Sequence, residues 1–292
     1  MQNIKKIALD VLSSKKFSRL GLEYLEFVIL EFLNKDESNT IKKMVLEEDY
    51  GCFKKNKHYK KFLKNLKEFL HNTYGVYQVK DVSKKDEIFK IMRKTKDKSR
   101  LLELHKEMLH CHSSSRERKD FYDKVYEEMF KYNKKPMVIL DLGCGLNVFS
   151  LPFMKIKNFK YIGIEPVKED VKLINAYIKN FGKLYGFSGV GVYGNFFDKE
   201  CLGKINKIKC DFCFLLKMTD VLDYGRNDHK RTEEFLKNIN SKCIVVSFPT
   251  RTVSNKKMNK PRRKWFELMS SRLGFSVNNI ELENEIFYFL RH

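Results

Sequence analysis

The sequence predicts an α/β protein: a doubly wound, Rossmann-like sheet of seven strands ending in a carboxy-terminal hairpin, preceded by an α-helical amino-terminal domain. Three observations carry this. Beyond Pro136, short β-branched or aromatic runs alternate with helical stretches, the pattern of a parallel sheet covered by helices. The first run ends in a glycine turn, Asp141-Leu142-Gly143-Cys144-Gly145. The last two runs lie close enough to pair as a hairpin, which adds an antiparallel edge to the sheet.

The elements follow in order. Ile4, Ile7, Ala8, Val11 and Leu12, then Leu22, Leu25, Val28, Ile29 and Phe32, recur at helical spacing. In KHYKKFLKNLKEFLHNTYG, Phe62, Leu63, Leu66, Phe69 and Leu70 share one face and lysines fill the rest, with a stop near Gly75. Further helices are expected over Lys98 to His110 and from Arg116 to Tyr132. The strands are MVILDLG, YIGIEP, GVGVYGN, CDFCFLL, CIVVSFP, SVNNIELE and IFYFLRH, with helices starting near Phe149, Val167, Asn227 and Pro261.

Composition narrows the partners. A 42% hydrophobic content supports a real core. The net charge of +21, from 58 Lys and Arg against 37 Asp and Glu, exceeds what solubility requires and points to a polyanion, nucleic acid first. Abundant lysine spread over a solvated surface is the bland alternative. No apolar run approaches the roughly 18 residues of a membrane span, and MQNIKKIALDVLSSKK lacks an apolar signal core. A monomeric cytoplasmic protein without membrane contact is expected. Seven scattered cysteines read as reduced thiols. Cys210 and Cys213 form a lone CxxC inside an apolar strand, so no metal site is expected.

The glycine turn follows a buried-looking strand and precedes a helix, so backbone can approach a nucleotide-like ligand. It lacks the third glycine of dinucleotide sites and any GK[ST], which disfavours NAD and ATP. The next strand ends at Glu165-Pro166, twenty residues after Gly145. A carboxylate there can accept from both ribose hydroxyls, the combination expected for S-adenosyl-L-methionine. The third strand ends at Asn195-Phe196-Phe197-Asp198, where Asn195 and Phe196 suit adenine. A plain tight turn beside a surface glutamate, and a turn-favouring Asn, are the alternatives.

HSSSRER, LDLGCGLNVFSLPFM, FLLKM and VVSFPTRTVSNKK followed by WFE resemble, in order, the Arm/FmrO family of aminoglycoside-resistance 16S rRNA (guanine-N7) methyltransferases, over residues 105–292. The resemblance implies an S-adenosylmethionine-dependent methyltransferase domain over 105–292 behind a helical, basic rRNA-binding domain over 1–104. It implies methyl transfer to N7 of a decoding-region guanine of 16S rRNA in the 30S subunit. Such a mark blocks aminoglycosides. By motif, Arg118 would hold the cofactor carboxylate, Gly143 and Gly145 would lie near the methionine part beside Asp141 and Cys144, and Leu216, Lys217 and Met218 would line the mouth. Standing alone, Arg118 would read as a surface residue paired with Glu117 or Asp120.

Guanine N7 carries a lone pair and no proton, so attack on a sulfonium methyl needs alignment and no general base. Lys217 and Arg251 are the positioning candidates. Arg251, Lys256, Lys257, Lys260, Arg262, Arg263 and Lys264 follow the fifth strand without an acidic residue, as a phosphate-binding segment would. Lys54, Lys57, Lys60, Lys61 and Lys64 form a second basic cluster for RNA. Two departures from the family stand out: MNKPRRKWFE replaces a GM…Y segment, and Glu165 stands where Asp is common. They leave open a methyltransferase acting on tRNA or another RNA, and a non-catalytic RNA-binding protein on the same fold.

Overall fold

The computed structural model describes residues 2–34, 39–75, 83–196, 198–223, 228–252 and 256–292. Contacts divide the chain into two compact units, Met1–Val76 with Pro166–Glu169 and Tyr77–Glu165 with Asp170–His292. The sequence-drawn division at 104 falls inside the second unit, within the helix over Lys98–His110. No described helix is long and apolar enough to cross a membrane.

The first unit holds helices α1 (Gln2–Leu12), α2 (Leu22–Asn34), α3 (Thr40–Glu47), α4 (Tyr50–Phe53) and α5 (Lys57–Thr73). Ile7, Ala8, Val11, Leu25, Ile29, Leu66 and Leu70 are buried at the positions helical spacing selects. Asn56 caps α5 by accepting from His58 N at 2.7 Å. Lys54, Lys57, Lys60, Lys61 and Lys64 are exposed, and Lys54 pairs with Asp10 at 3.0 Å.

The second unit opens with α6 (Ser83–Lys94), α7 (Lys98–His110), α8 (Ser113–Arg118) and α9 (Tyr122–Phe130). The single helix expected from Arg116 to Tyr132 is broken: Phe121 leaves the helical region at φ −135°, and its N–H donates to Arg118 O at 3.0 Å. Strands β1 (Val138–Leu142), β2 (Phe159–Glu165), β3 (Phe187–Tyr193), β4 (Cys210–Leu216), β5 (Ser241–Pro249), β6 (Ser276–Leu282) and β7 (Glu285–Arg291) form one sheet, ordered β3-β2-β1-β4-β5-β7-β6. β7 runs antiparallel to both β5 and β6, as the hairpin reading requires. A 3₁₀ stretch, Asn147–Met154, follows β1. The remaining helices are α10 (Lys168–Tyr185), α11 (Lys199–Ile205), α12 (Thr219–Leu222), α13 (Lys230–Asn238) and α14 (Lys264–Arg272). The helix start expected near Asn227 lies outside the described residues, as do Phe197 and residues 253–255 of the basic segment.

Strand alternation divides the core between two faces. Ile139, Tyr161, Phe212, Phe214, Val245, Phe287 and Phe289 pack with α6, α7, α9 and α10 residues. Leu140, Leu142, Ile164, Cys213, Leu215, Val246 and Tyr288 pack with α13 and α14 residues. Both faces are covered, so the central strands read as continuous apolar runs.

One buried ion pair ties α6 to α10: Lys85 Nζ lies 3.0 Å from Asp170 Oδ1, with the two side chains 2% and 0% exposed. Removing one partner strands the other charge away from water. Lys85→Ala should lower stability by roughly 3–5 kcal/mol in urea unfolding, and pairing Lys85→Met with Asp170→Leu should recover most of the loss.

Candidate active site

The carboxyl ends of the parallel strands are where open α/β sheets bind ligands, and the second unit gathers its buried polar groups there. After β1 the chain turns through Gly143 at φ +68° and Gly145 at φ +49°, a region glycine enters freely. A Cβ on Gly143 would stand 2.2 Å from Met218 Sδ, so the Met218 side chain lies directly over this glycine. The turn is hung from the end of β2. Gly143 N and Cys144 N donate to Ile164 O at 2.9 and 3.1 Å, and Gly145 N donates to the Glu165 carboxylate at 2.8 Å.

Asp141, 1% exposed, accepts from Asn147 Nδ2 at 2.7 Å and from Tyr161 OH at 2.8 Å. Burial raises its carboxyl to about 6 against these two hydrogen bonds and the charge of Arg118. Tyr122 OH donates to Asn147 Oδ1 at 2.6 Å and accepts from Arg118 Nε at 3.3 Å, which links Arg118 to Asp141 through buried polar groups. Cys144 is buried, and burial holds its thiol well above the ordinary value, so it is no thiolate nucleophile. His112 sets its ring against Gly145, about where a Cβ there would reach it at 3.1 Å. Burial, then the charge of Lys85, lowers the His112 imidazole to about 3.

Arg118 does not take the local pairing with Glu117 or Asp120. Its Nη1 donates to Glu285 at 2.9 and 3.3 Å, 167 residues away, and both side chains are buried. Burial pulls the guanidinium down, and the facing charge of Glu285 more than offsets it. Ser247 Oγ also donates to Glu285. Lys217 Nζ lies 3.6 Å from Glu285 Oε2 and is bonded directly to Glu117. Lys217 itself sits at φ +58°, a costly backbone conformation for a side chain of this size, and its N–H donates to Ser247 O at 3.2 Å. Strain of this kind persists where surrounding contacts enforce it.

The structure thus brings Arg118, Asp141, Gly143, Cys144, Gly145, Glu165, Lys217 and Met218 to one edge of the sheet. Pro166 follows Glu165 in the chain, and Leu216 is half-buried at the end of β4. Asn195 and Phe196 are 9% and 6% exposed beyond β3, with Phe196 packed edge-on to Phe235. Arg251, Lys256 and Lys257 are exposed on the segment after β5, where Arg251 bridges to Lys257. Arg262 is held by Glu267 at 2.6 and 2.9 Å. Arg263 is half-buried and donates to the carbonyls of Pro261 and Pro249.

Sequence reasoning missed Glu285, Glu117, Ser247, Asn147 and Lys85. A glutamate opening the apolar run EIFYFL was the available signal for Glu285.

These residues fit an adenosyl sulfonium amino acid. Two glycines carry the turn after β1 through positive φ, and Glu165, Asp141 and Arg118 offer carboxylates for ribose and ammonium and a guanidinium for carboxylate. The family model described as ribosomal RNA methyltransferase (FmrO) matches residues 39–289. The 16S rRNA (guanine(1405)-N(7))-methyltransferase of Proteus mirabilis is 27% identical over 244 residues, 78% of this chain and 83% of the relative. The enzyme of the same name from Micromonospora rosea is 23% identical, over 77% of this chain and 81% of the relative. The crystal structure of 16S rRNA methyltransferase RmtF with S-adenosyl-L-homocysteine superposes with TM-score 0.70 at 21% identity, covering 99% of this chain and 98% of that one.

Protonation of Asp141 removes the anion that would face an ammonium. Its proton is taken up near pH 6, well above an ordinary aspartate. S-adenosylhomocysteine affinity, measured by calorimetry, should therefore hold from pH 8 to 7 and weaken as pH falls through 6.

Proposed function

The chain belongs to the FmrO family of ribosomal RNA methyltransferases, and on that premise we propose that it methylates N7 of a decoding-region guanine of 16S rRNA within the 30S subunit. The observation that carries the reading is the convergence of Asp141, Glu165 and Arg118 around the glycine turn of a chain matched by that family over residues 39–289. When bound, S-adenosylmethionine supplies a methyl group activated on a sulfonium. Guanine N7 has no proton to lose, so the chain has none to remove and its work is alignment.

Arg118 takes the carboxylate of the methionine part, oriented by its bond to Glu285. Asp141 faces the ammonium and Glu165 the ribose hydroxyls, while Asn195 and Phe196 border the adenine. Leu216 and Met218 form the apolar wall at the methyl group, and Lys217 and Arg251 position the target nucleotide. The guanine is extruded from its stack to reach this edge. Lys256 and Lys257, with the exposed lysines of α5, neutralise rRNA phosphates. The enzyme acts as a cytoplasmic monomer, and its product confers aminoglycoside resistance.

The test is transfer of labelled methyl from S-adenosylmethionine to purified 30S subunits, naked 16S rRNA and bulk tRNA, with cleavage mapping of N7-methylguanine. Label on a decoding-region guanine of 30S subunits is expected. Label on tRNA alone, or on none of the three, would overturn the substrate.

Charge reversal of both Lys256 and Lys257 to Glu should lower transfer to 30S subunits about tenfold or more at moderate salt, with S-adenosylhomocysteine affinity unchanged by calorimetry. Equal loss of both properties would remove this segment from the RNA surface.

A further inference from the structure

Methylation of guanine N7 moves charge: as the N7 lone pair forms the N–CH₃ bond, the electrons of the breaking C–S bond go to sulfur and the positive charge passes to the guanine ring. A carboxylate at the base therefore helps more in the transition state than before it. Around the charged residues of the site the carboxylates are already engaged. Asp141 accepts from Asn147 and Tyr161, Glu165 from Gly145, Glu117 from Lys217 and Glu285 from Arg118. Asp223 accepts from Thr232 N and Oγ1 at 3.1 and 2.6 Å and faces His229 at 3.2 Å.

Asp220 differs from all of these. It stands on α12, immediately beyond Lys217, Met218 and Thr219, and the side chain of Met218 reaches over Gly143. The Asp220 side chain is exposed, and no hydrogen bond or ion pair joins it to any described residue. The charged groups whose fields reach it are Arg263, Asp223, His229 and Lys217, and the density of protein around it raises its carboxyl above the usual aspartate value. Asp223, which caps α12 three residues beyond Asp220, faces His229 at 3.2 Å, and His229 is stacked on Trp265 with ring centroids 3.6 Å apart and planes 8° from parallel, so a flat aromatic surface lies beside this helix.

On the reading that this chain methylates guanine, we infer that Asp220 reads the Watson–Crick edge of the extruded base, accepting hydrogen bonds from N1–H and the N2 amino group. Guanine presents those two donors side by side, and a carboxylate has two acceptor oxygens and no donor. Adenine, cytosine and uracil offer no such pair. Flipped bases are commonly read in this way, by hydrogen bonds on the Watson–Crick edge together with an aromatic face. The His229–Trp265 surface supplies the stacking wall. Asp220 thus selects guanine and favours the charge that N7 acquires, since cationic N7-methylguanine is a stronger N1–H donor.

The experiment uses the full chain and 30S subunits reconstituted with 16S rRNA that carries either guanine or inosine at the methylated position. Inosine keeps N7 and N1–H and lacks the N2 amino group. The wild-type protein should methylate guanine subunits about tenfold faster than inosine subunits. Asp220→Asn and Asp220→Ala should slow the guanine reaction and bring the guanine-to-inosine ratio close to one, while Asp220→Glu retains part of it. S-adenosylhomocysteine affinity should be the same in all four proteins, which separates a lost contact to the base from damage to the fold. An unchanged ratio in Asp220→Asn, or a wild-type protein that treats the two subunits alike, overturns the assignment. A wild-type protein inactive on guanine subunits overturns the function on which it rests, and the assignment with it.

Discussion

The candidate site is organised around one buried carboxylate. Glu285 accepts from Arg118 and Ser247 and lies beside Lys217, whose ammonium is shared with Glu117. Desolvating Glu285, Arg118 and Lys217 is expensive, and the arrangement holds only because each has an opposite partner in reach. The antiparallel strand is what makes this possible. β7 starts at Glu285 opposite Pro249, the last residue of β5, so the first residue of the reversed strand arrives at the carboxyl edge of the parallel ones. A strand running parallel to β5 would deliver its first residue to the other edge. The hairpin that ends the chain therefore does more than cap the sheet: it plants the anion that fixes Arg118 and holds Lys217 in a strained conformation.

What the sequence disclosed and what it concealed divide along the range of the interactions. The strands, the glycine turn and the helices over 2–12, 57–73 and 98–110 were legible because apolar period and glycine placement are local signals. The glycines sit at positive φ values that follow from their position after β1. Glu285 was not legible, because its partner lies 167 residues away and no spacing rule spans that distance. Lys85 concealed a whole helix: it occupies the inner face of α6 with Ile88, Phe89 and Met92, where an apolar residue would have completed the pattern. α11 had a readable start, since Asp198 accepts from Glu200 N and Cys201 N as an N-cap, and the strand-end reading of Asn195 and Phe196 drew attention away from it. The break between α8 and α9 carries no glycine or proline, so nothing local announced it.

A strongly basic chain has here a nearly balanced interior edge. The net charge is +21, yet Arg118, Lys217 and Lys85 all have carboxylate partners. The surplus lies on exposed residues such as the lysines of α5 and those after β5, where it is screened by salt and acts at long range. That separation suits the two tasks proposed for the molecule. Exposed cations collect and orient a polyanion, and the paired groups keep a fixed geometry for a transfer that depends on alignment.

The account stands most directly on where the cofactor sits, and a crystal structure of the chain with S-adenosylhomocysteine decides it. The predicted result places the ribose hydroxyls on Glu165, the amino group facing Asp141 and the carboxylate on Arg118, with the Arg118–Glu285 bond intact. A ligand seated away from the Gly143–Gly145 turn, or bound there with Arg118 still facing only Glu285 and no ligand carboxylate, would contradict it.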